Sequence, residues 1–129
     1  MTLIPLSALT FALLCLGVCI FQLALILGAP WGEFTLGGKW RGVLPPRTRW
    51  IPLLSVLIMV GMAAIILAAS GLAWQAFQVQ AQSLIWWVVG YCALGCVANA
   101  ITPSPRERRI WLPVVLLLLA SSLCVALGP

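Results

Sequence analysis

GAPWGEFTLGGKWRGVLPPRTR, residues 28–49, interrupts a chain that is otherwise almost entirely apolar. It contains five of the nine charged residues of the protein and the densest run of glycines. A second, shorter cluster at residues 106–109 contains the other four charges. Because no charged residue lies anywhere else, the two clusters divide the sequence into long apolar stretches, and this division decides the fold.

The composition is that of a membrane protein. Of the 129 residues, 64% are hydrophobic and 7% are charged, whereas about a quarter of the residues in a soluble domain are charged. A soluble domain of this size could not bury so much apolar surface, so lipid has to cover the remainder. In this setting the net charge of +5 does not indicate nucleic-acid binding, as it would in a soluble protein.

Four stretches of the chain are apolar enough to cross a membrane, which takes roughly 20 residues. In lipid, only helices and closed barrels satisfy their backbone polar groups, and these runs are continuous rather than alternating as in barrel strands. The first run is too long for the core of a signal peptide. The sequence therefore predicts a single all-α transmembrane domain over residues 1–129, with spans at about 3–27, 50–69, 84–101 and 110–127.

The distribution of charge predicts the orientation of these spans. Both basic clusters follow odd-numbered spans, so both lie on the same side of the membrane. The loop between the second and third spans, residues 70–83, contains four Gln and no charge. The positive-inside rule then places both basic loops in the cytoplasm and both termini outside.

The two halves of the chain resemble each other, which suggests two hairpins related as a parallel internal repeat about the membrane normal. A chance similarity in a chain of narrow composition is the alternative. In each half, two cysteines and an amide share one helix face, and we expect the first and third helices to face each other through these sets. The sets are Cys15, Cys19 and Gln22, and Cys92, Cys96 and Asn99, with the two amides as interhelical polar residues.

The chain lacks the residue types that most catalytic sites require. It contains no His and no Asp, and neither Glu lies within a predicted span. This argues against a Ser-His-Asp hydrolase, a carboxylate-bridged metal site and a proton-relay pump, so we expect neither enzyme activity nor a cofactor. The cysteines Cys15, Cys19, Cys92 and Cys96 are weak candidates for a Cu(I) or Zn²⁺ site, but we favour a role as small apolar packing residues.

Residues 28–49 are the predicted contact surface. Aromatic residues alternate with charges, as is typical of a segment at the level of the lipid headgroups, and basic residues are attracted to anionic headgroups. The segment is either a turn that lies passively on the headgroups or an ordered segment, interfacial or shallowly re-entrant, and we favour the ordered segment. We expect its one acid, Glu33, to pair with an arginine rather than to recognise a ligand. The predicted partner or lipid contacts are Trp31, Glu33, Lys39, Trp40, Arg41, Arg47, Arg49, Arg106, Arg108 and Arg109.

The second basic cluster carries the signature of a helix start. Ser104 can cap the helix, Pro105 suits its first position, and Glu107 completes a capping box. The fourth helix is therefore expected to begin before its apolar part, with the arginines in its first turns.

Both basic segments resemble a family of small four-span bacterial integral membrane proteins that is uncharacterised. The resemblance covers little of the spans. It implies the four-helix fold and a place in the bacterial inner membrane, but no activity. Trp40 stands where members of that family often have His, so a function that needs the His is not expected here. The residues that carry the resemblance are Gly28-Ala29-Pro30-Trp31-Gly32-Glu33, Gly37-Gly38-Lys39, Gly42-Val43-Leu44-Pro45, Arg49, Asn99 and the turn from Ser104 to Arg108.

Two functions from different classes fit the sequence. The first is a non-catalytic accessory or scaffold subunit that packs against a larger membrane complex, anionic lipid or copies of itself. The second is a small-solute carrier or channel, with Gln22, Asn99 and Glu33 along a polar route between the hairpins. A carrier normally has an ionisable group at mid-membrane, and the predicted spans offer only thiols and Tyr91. We therefore favour the accessory subunit.

Overall fold

The computed structural model describes residues 3–128, and within them the chain forms four long α-helices and no β-strand. Each of the four is long and apolar enough to cross a membrane, which confirms the predicted all-α membrane fold. The helices are α1, Leu3–Ile26; α2, Trp50–Ser70; α3, Gln78–Ile101; and α4, Pro105–Leu127.

Two helix starts differ from the limits of the apolar runs, and both have local causes. The third helix begins at Gln78, before the predicted residue 84, and the Gln78 side chain donates to the Ala69 carbonyl at 3.3 Å. The loop before it is correspondingly shorter than predicted. The fourth helix begins at Pro105, where Ser104 Oγ accepts from the Glu107 N–H at 3.2 Å. The predicted cap is thus confirmed.

The helices pack side by side with their neighbours in sequence. The first helix contacts α2 and α4, and the third also contacts α2 and α4, so α1 and α3 lie diagonally across the bundle. The predicted facing of α1 and α3 is therefore not a direct helix–helix contact, although the cysteine faces of both helices point into the bundle. Consecutive helices with short connections become neighbours, which leaves the first and third apart. The internal repeat stays a prediction.

The bundle buries one face of each helix and exposes the other. Phe11, Ile66, Ile85 and Leu118 are almost completely buried at the centre. The cysteine faces point inward too, since three of the cysteines are buried and the others half-buried. Large apolar side chains cover the outside of all four helices. This exposed belt is what lipid covers in a membrane protein.

Candidate functional site

The two basic segments meet at one end of the bundle. Ser104 Oγ donates to the main-chain oxygen of Glu33 at 2.9 Å, and Arg106 Nη1 pairs with Glu33 Oε1 at 2.9 Å. Glu33 thus binds an arginine, as expected, but the arginine comes from the second cluster. We call the surface formed by residues 28–49 and 102–109 the basic face.

The first segment folds into an ordered loop because it closes on itself. It contains three single-turn 3₁₀ helices, and the Gly32 N–H donates to the Gly42 carbonyl at 2.8 Å. A Cβ on Gly32 would collide with the carbonyl oxygens of Trp40 and Gly42. Gly38 has a φ of +75° and lies against Ser104, so a side chain there would be both strained and crowded. The loop is therefore ordered rather than a passive turn.

Arg49 fastens the two ends of the loop together. Its Nε donates to the Leu44 carbonyl at 3.1 Å and its Nη1 to the Ile26 carbonyl at 3.3 Å. The second bond satisfies a carbonyl at the end of α1, where a cation also interacts favourably with the helix dipole. Arg49 was predicted as a partner or lipid contact, but its guanidinium is used within the chain.

An aromatic cluster holds the loop onto the helices. Trp111 Nε1 donates to the main-chain oxygen of Phe34 at 2.6 Å. The ring of Phe21 lies between two indoles, stacked on Trp31 with centroids 6.0 Å apart and edge-on to Trp111 at 4.7 Å. Phe21 and Trp111 were not among the predicted site residues, because an aromatic residue in a span also fits a lipid-facing position.

A pocket of about 410 Å³ opens on the basic face where the two segments meet. We call it the arginine pocket. Arg106 is paired with Glu33 there, whereas Arg41 and Arg109 form no ion pair with any residue between 3 and 128. The pocket therefore carries an excess of positive charge. It is lined by Glu33, Gly38, Arg41, Pro103, Ser104, Pro105, Arg106 and Arg109.

The other predicted contact residues do not line this pocket. Arg47 and Arg108 are exposed and do not line it. Lys39 Nζ lies 4.7 Å from the centre of the Trp40 ring, a cation–π distance. Trp31 remains 43% exposed despite its stacking. Most of the predicted set is thus available for contact from outside.

A second cavity, of about 240 Å³, lies inside the bundle beneath the loop. We call it the polar cavity. Both predicted amides line it, but Asn99 Nδ2 donates to the Gly95 carbonyl of its own helix at 2.7 Å. The Gln22 side chain forms no hydrogen bond within the described chain. The two amides therefore share a cavity rather than bond across helices. Its polar lining is Gln22, Thr35, Ser55, Asn99 and Glu107.

Glu107 is the site residue that sequence reasoning missed. It is 8% exposed and lines the polar cavity, whereas its place in the capping box suggested only a role at the helix start. Glu107 and Trp111 are four residues apart and so share a helix face, and this spacing was the available signal. Glu33, which was predicted to line the polar route, lies at the arginine pocket instead.

The described residues contain no group of three or more His, Cys, Asp or Glu placed to hold a metal ion. The five cysteines are free thiols. The cysteines of α1 and α3 that were weak metal candidates therefore form no such group in the part of the chain that the structure covers.

No protein-family model matches the chain, and no curated protein and no solved structure is detectably similar to it. The resemblance to the four-span bacterial family stays a prediction, and function has to be inferred from the geometry alone.

Proposed function

We propose that the protein is a non-catalytic accessory or scaffold subunit of the membrane, which contacts its partner through the basic face. The observation that carries this proposal is the joining of two distant segments at Glu33, whose main-chain oxygen and carboxylate bind Ser104 and Arg106. A surface that is ordered before it binds loses less conformational entropy on association. The loop hydrogen bonds therefore favour a contact role over a passive connection.

The charge of this face sets its orientation and its environment. All seven Lys and Arg residues belong to it, and the positive-inside rule puts such a face in the cytoplasm, with both termini outside. The bacterial inner membrane is the location that the family resemblance implies. Anionic headgroups and acidic surfaces of a membrane partner are the groups that this face attracts.

Extraction in a mild detergent followed by native mass spectrometry tests the accessory role. We expect the protein to be recovered with a membrane-protein partner or as a homo-oligomer. Replacing the exposed cations Lys39, Arg47 and Arg108 by Gln should lower that recovery. A matched triple change of Gln75, Gln80 and Gln82 to Ser, at the opposite end of the bundle, should not. Recovery only as a monomer without partner or lipid would overturn the proposal.

A second function is favoured by the polar cavity. A small-solute carrier or channel requires a polar path inside the bundle, and a buried carboxylate with two amides lines such a space here. Flux of ammonium, urea and glycerol into proteoliposomes tests this alternative. Flux that is abolished by Glu107→Gln or Gln22→Leu would establish it, and the accessory role predicts no flux above that of empty liposomes.

A further inference from the structure

We propose that the arginine pocket is a binding site for a phosphate group, carried by a phospholipid headgroup or by a soluble phosphate. This inference rests on the proposed contact role of the basic face and names the chemical group that the face binds. It also divides the cations of that face into two sets, because Arg41, Arg106 and Arg109 line the pocket and the other four do not.

The charge of the pocket matches an anion of this class. Three arginines and one glutamate give a formal charge of +2 (three minus one). The guanidinium group offers N–H donors in a planar fork that fits two phosphate oxygens at once. Arg41 and Arg109 have no carboxylate partner in the described part of the chain, so their donors are available to a ligand.

Glu33 holds Arg106 in position, and the ion pair leaves part of the Arg106 guanidinium available to a ligand. The pair is only partly shielded from solvent, with the Arg106 side chain 65% exposed. One nitrogen of the guanidinium, Nη1, binds Glu33 Oε1, and the other N–H groups of the fork can still reach an anion at the mouth of the pocket. Arg106 is thereby held at the pocket before a ligand arrives.

The backbone that lines the pocket is stiff, so the arginine side chains are the main groups that have to be ordered when a ligand binds. Pro103 and Pro105 have restricted backbones, and Ser104 between them is buried and bonded to the Glu33 carbonyl and the Glu107 N–H. Gly38, which also lines the pocket, lies so close to Ser104 that a side chain there would be crowded. Such a preformed shape favours binding.

Exposed tryptophans at the same end of the bundle indicate that the pocket lies at the level of the lipid headgroups. Trp31 and Trp50, at the same end of the bundle, are 43% and 63% exposed. Exposed indoles of membrane proteins concentrate at the level of the headgroups, which is where lipid phosphates lie. A phospholipid can therefore reach the pocket from the bilayer, and a soluble phosphate from the aqueous side.

The test compares two double variants of the full-length protein that remove the same charge from the same face. The first is Arg41→Gln/Arg109→Gln, inside the pocket, and the control is Arg47→Gln/Arg108→Gln, outside it. All four side chains are exposed, so both proteins should fold, and thermal unfolding without added ligand checks this. Each protein in detergent is titrated with dioleoyl phosphatidylglycerol by native mass spectrometry, and with inorganic phosphate by thermal shift.

We expect the wild type to retain one phosphatidylglycerol or to be stabilised by phosphate. Loss of the two pocket arginines should weaken that binding by roughly tenfold or more, because charge-assisted hydrogen bonds are lost. The control should bind nearly as well as the wild type. Binding of the lipid alone identifies a headgroup as the source, and binding of inorganic phosphate identifies a soluble ligand.

Two results would overturn the phosphate site. One is equal weakening in both double variants, which would mean a general attraction to the basic face. The other is no binding of either probe by the wild type. The accessory role is judged separately by recovery of a partner protein. If a partner is recovered but neither probe binds, the phosphate site alone is overturned. If inorganic phosphate binds but the protein is recovered only as a monomer without partner or lipid, the accessory role alone is overturned.

Discussion

The indole N–H of Trp111 donates to the main-chain oxygen of Phe34 across 2.6 Å. This bond joins the second turn of α4 to the loop at residues 28–49, beside the ion pair between Glu33 and Arg106. Phe34 and Trp111 also line the polar cavity. The contact that attaches the loop is therefore also part of the lining of the polar cavity.

Changing Trp111 to Phe should weaken the attachment of the loop to α4 while keeping an aromatic ring in the cluster. The phenyl ring can still pack against Phe21, but the Phe34 carbonyl loses its donor, which costs on the order of 1 kcal/mol. Thermal unfolding in detergent should show a lower transition temperature. Trp87→Phe is the control, because Trp87 is 79% exposed on α3. Equal effects of the two changes would contradict an anchoring role for Trp111.

A methyl group at Gly32 should open the loop. The added Cβ would meet the carbonyl oxygens of Trp40 and Gly42, which are backbone atoms and cannot rotate away. We expect faster amide hydrogen exchange across residues 28–42 in Gly32→Ala, measured by mass spectrometry. Gly61→Ala on α2 is the matched control, since nothing lies within 4 Å of its added Cβ. Unchanged exchange in Gly32→Ala would contradict the closed loop.

The helices could be predicted from the sequence, because a membrane span is defined by local composition. The cap at Ser104 could be predicted too, since it depends on a motif of adjacent residues. The contacts of Ser104 with Glu33 and of Trp111 with Phe34 could not, because each joins residues more than 70 positions apart. Periodicity showed that the cysteine faces point inward, but it carries no information on which helices become neighbours. The diagonal arrangement of α1 and α3 was missed for that reason.

Ser104 should matter more to stability than the ion pair beside it. Its hydroxyl caps α4 and also donates to the loop, and loss of a capping hydroxyl typically costs about 1 kcal/mol. The partly exposed pair of Glu33 and Arg106 should contribute less than about 1 kcal/mol. Unfolding of Ser104→Ala and Glu33→Gln in detergent gives the ranking, with the exposed Ser83→Ala as control. A reversed order would mean that the ion pair holds the segments together.

The orientation in the membrane should place the basic face in the cytoplasm. All seven Lys and Arg residues lie at that end, and residues 70–83 at the other end carry no charge. A thiol introduced at Ala76, which is exposed between α2 and α3, should react in whole cells with a maleimide that cannot cross the membrane. A thiol introduced at the exposed Lys39 should react only after the cells are opened. The native cysteines lie in the helices and are buried or half-buried, so the wild type serves as the background.

Labelling at position 39 but not at position 76 in whole cells would mean the opposite orientation. The basic face would then meet extracellular rather than cytoplasmic partners.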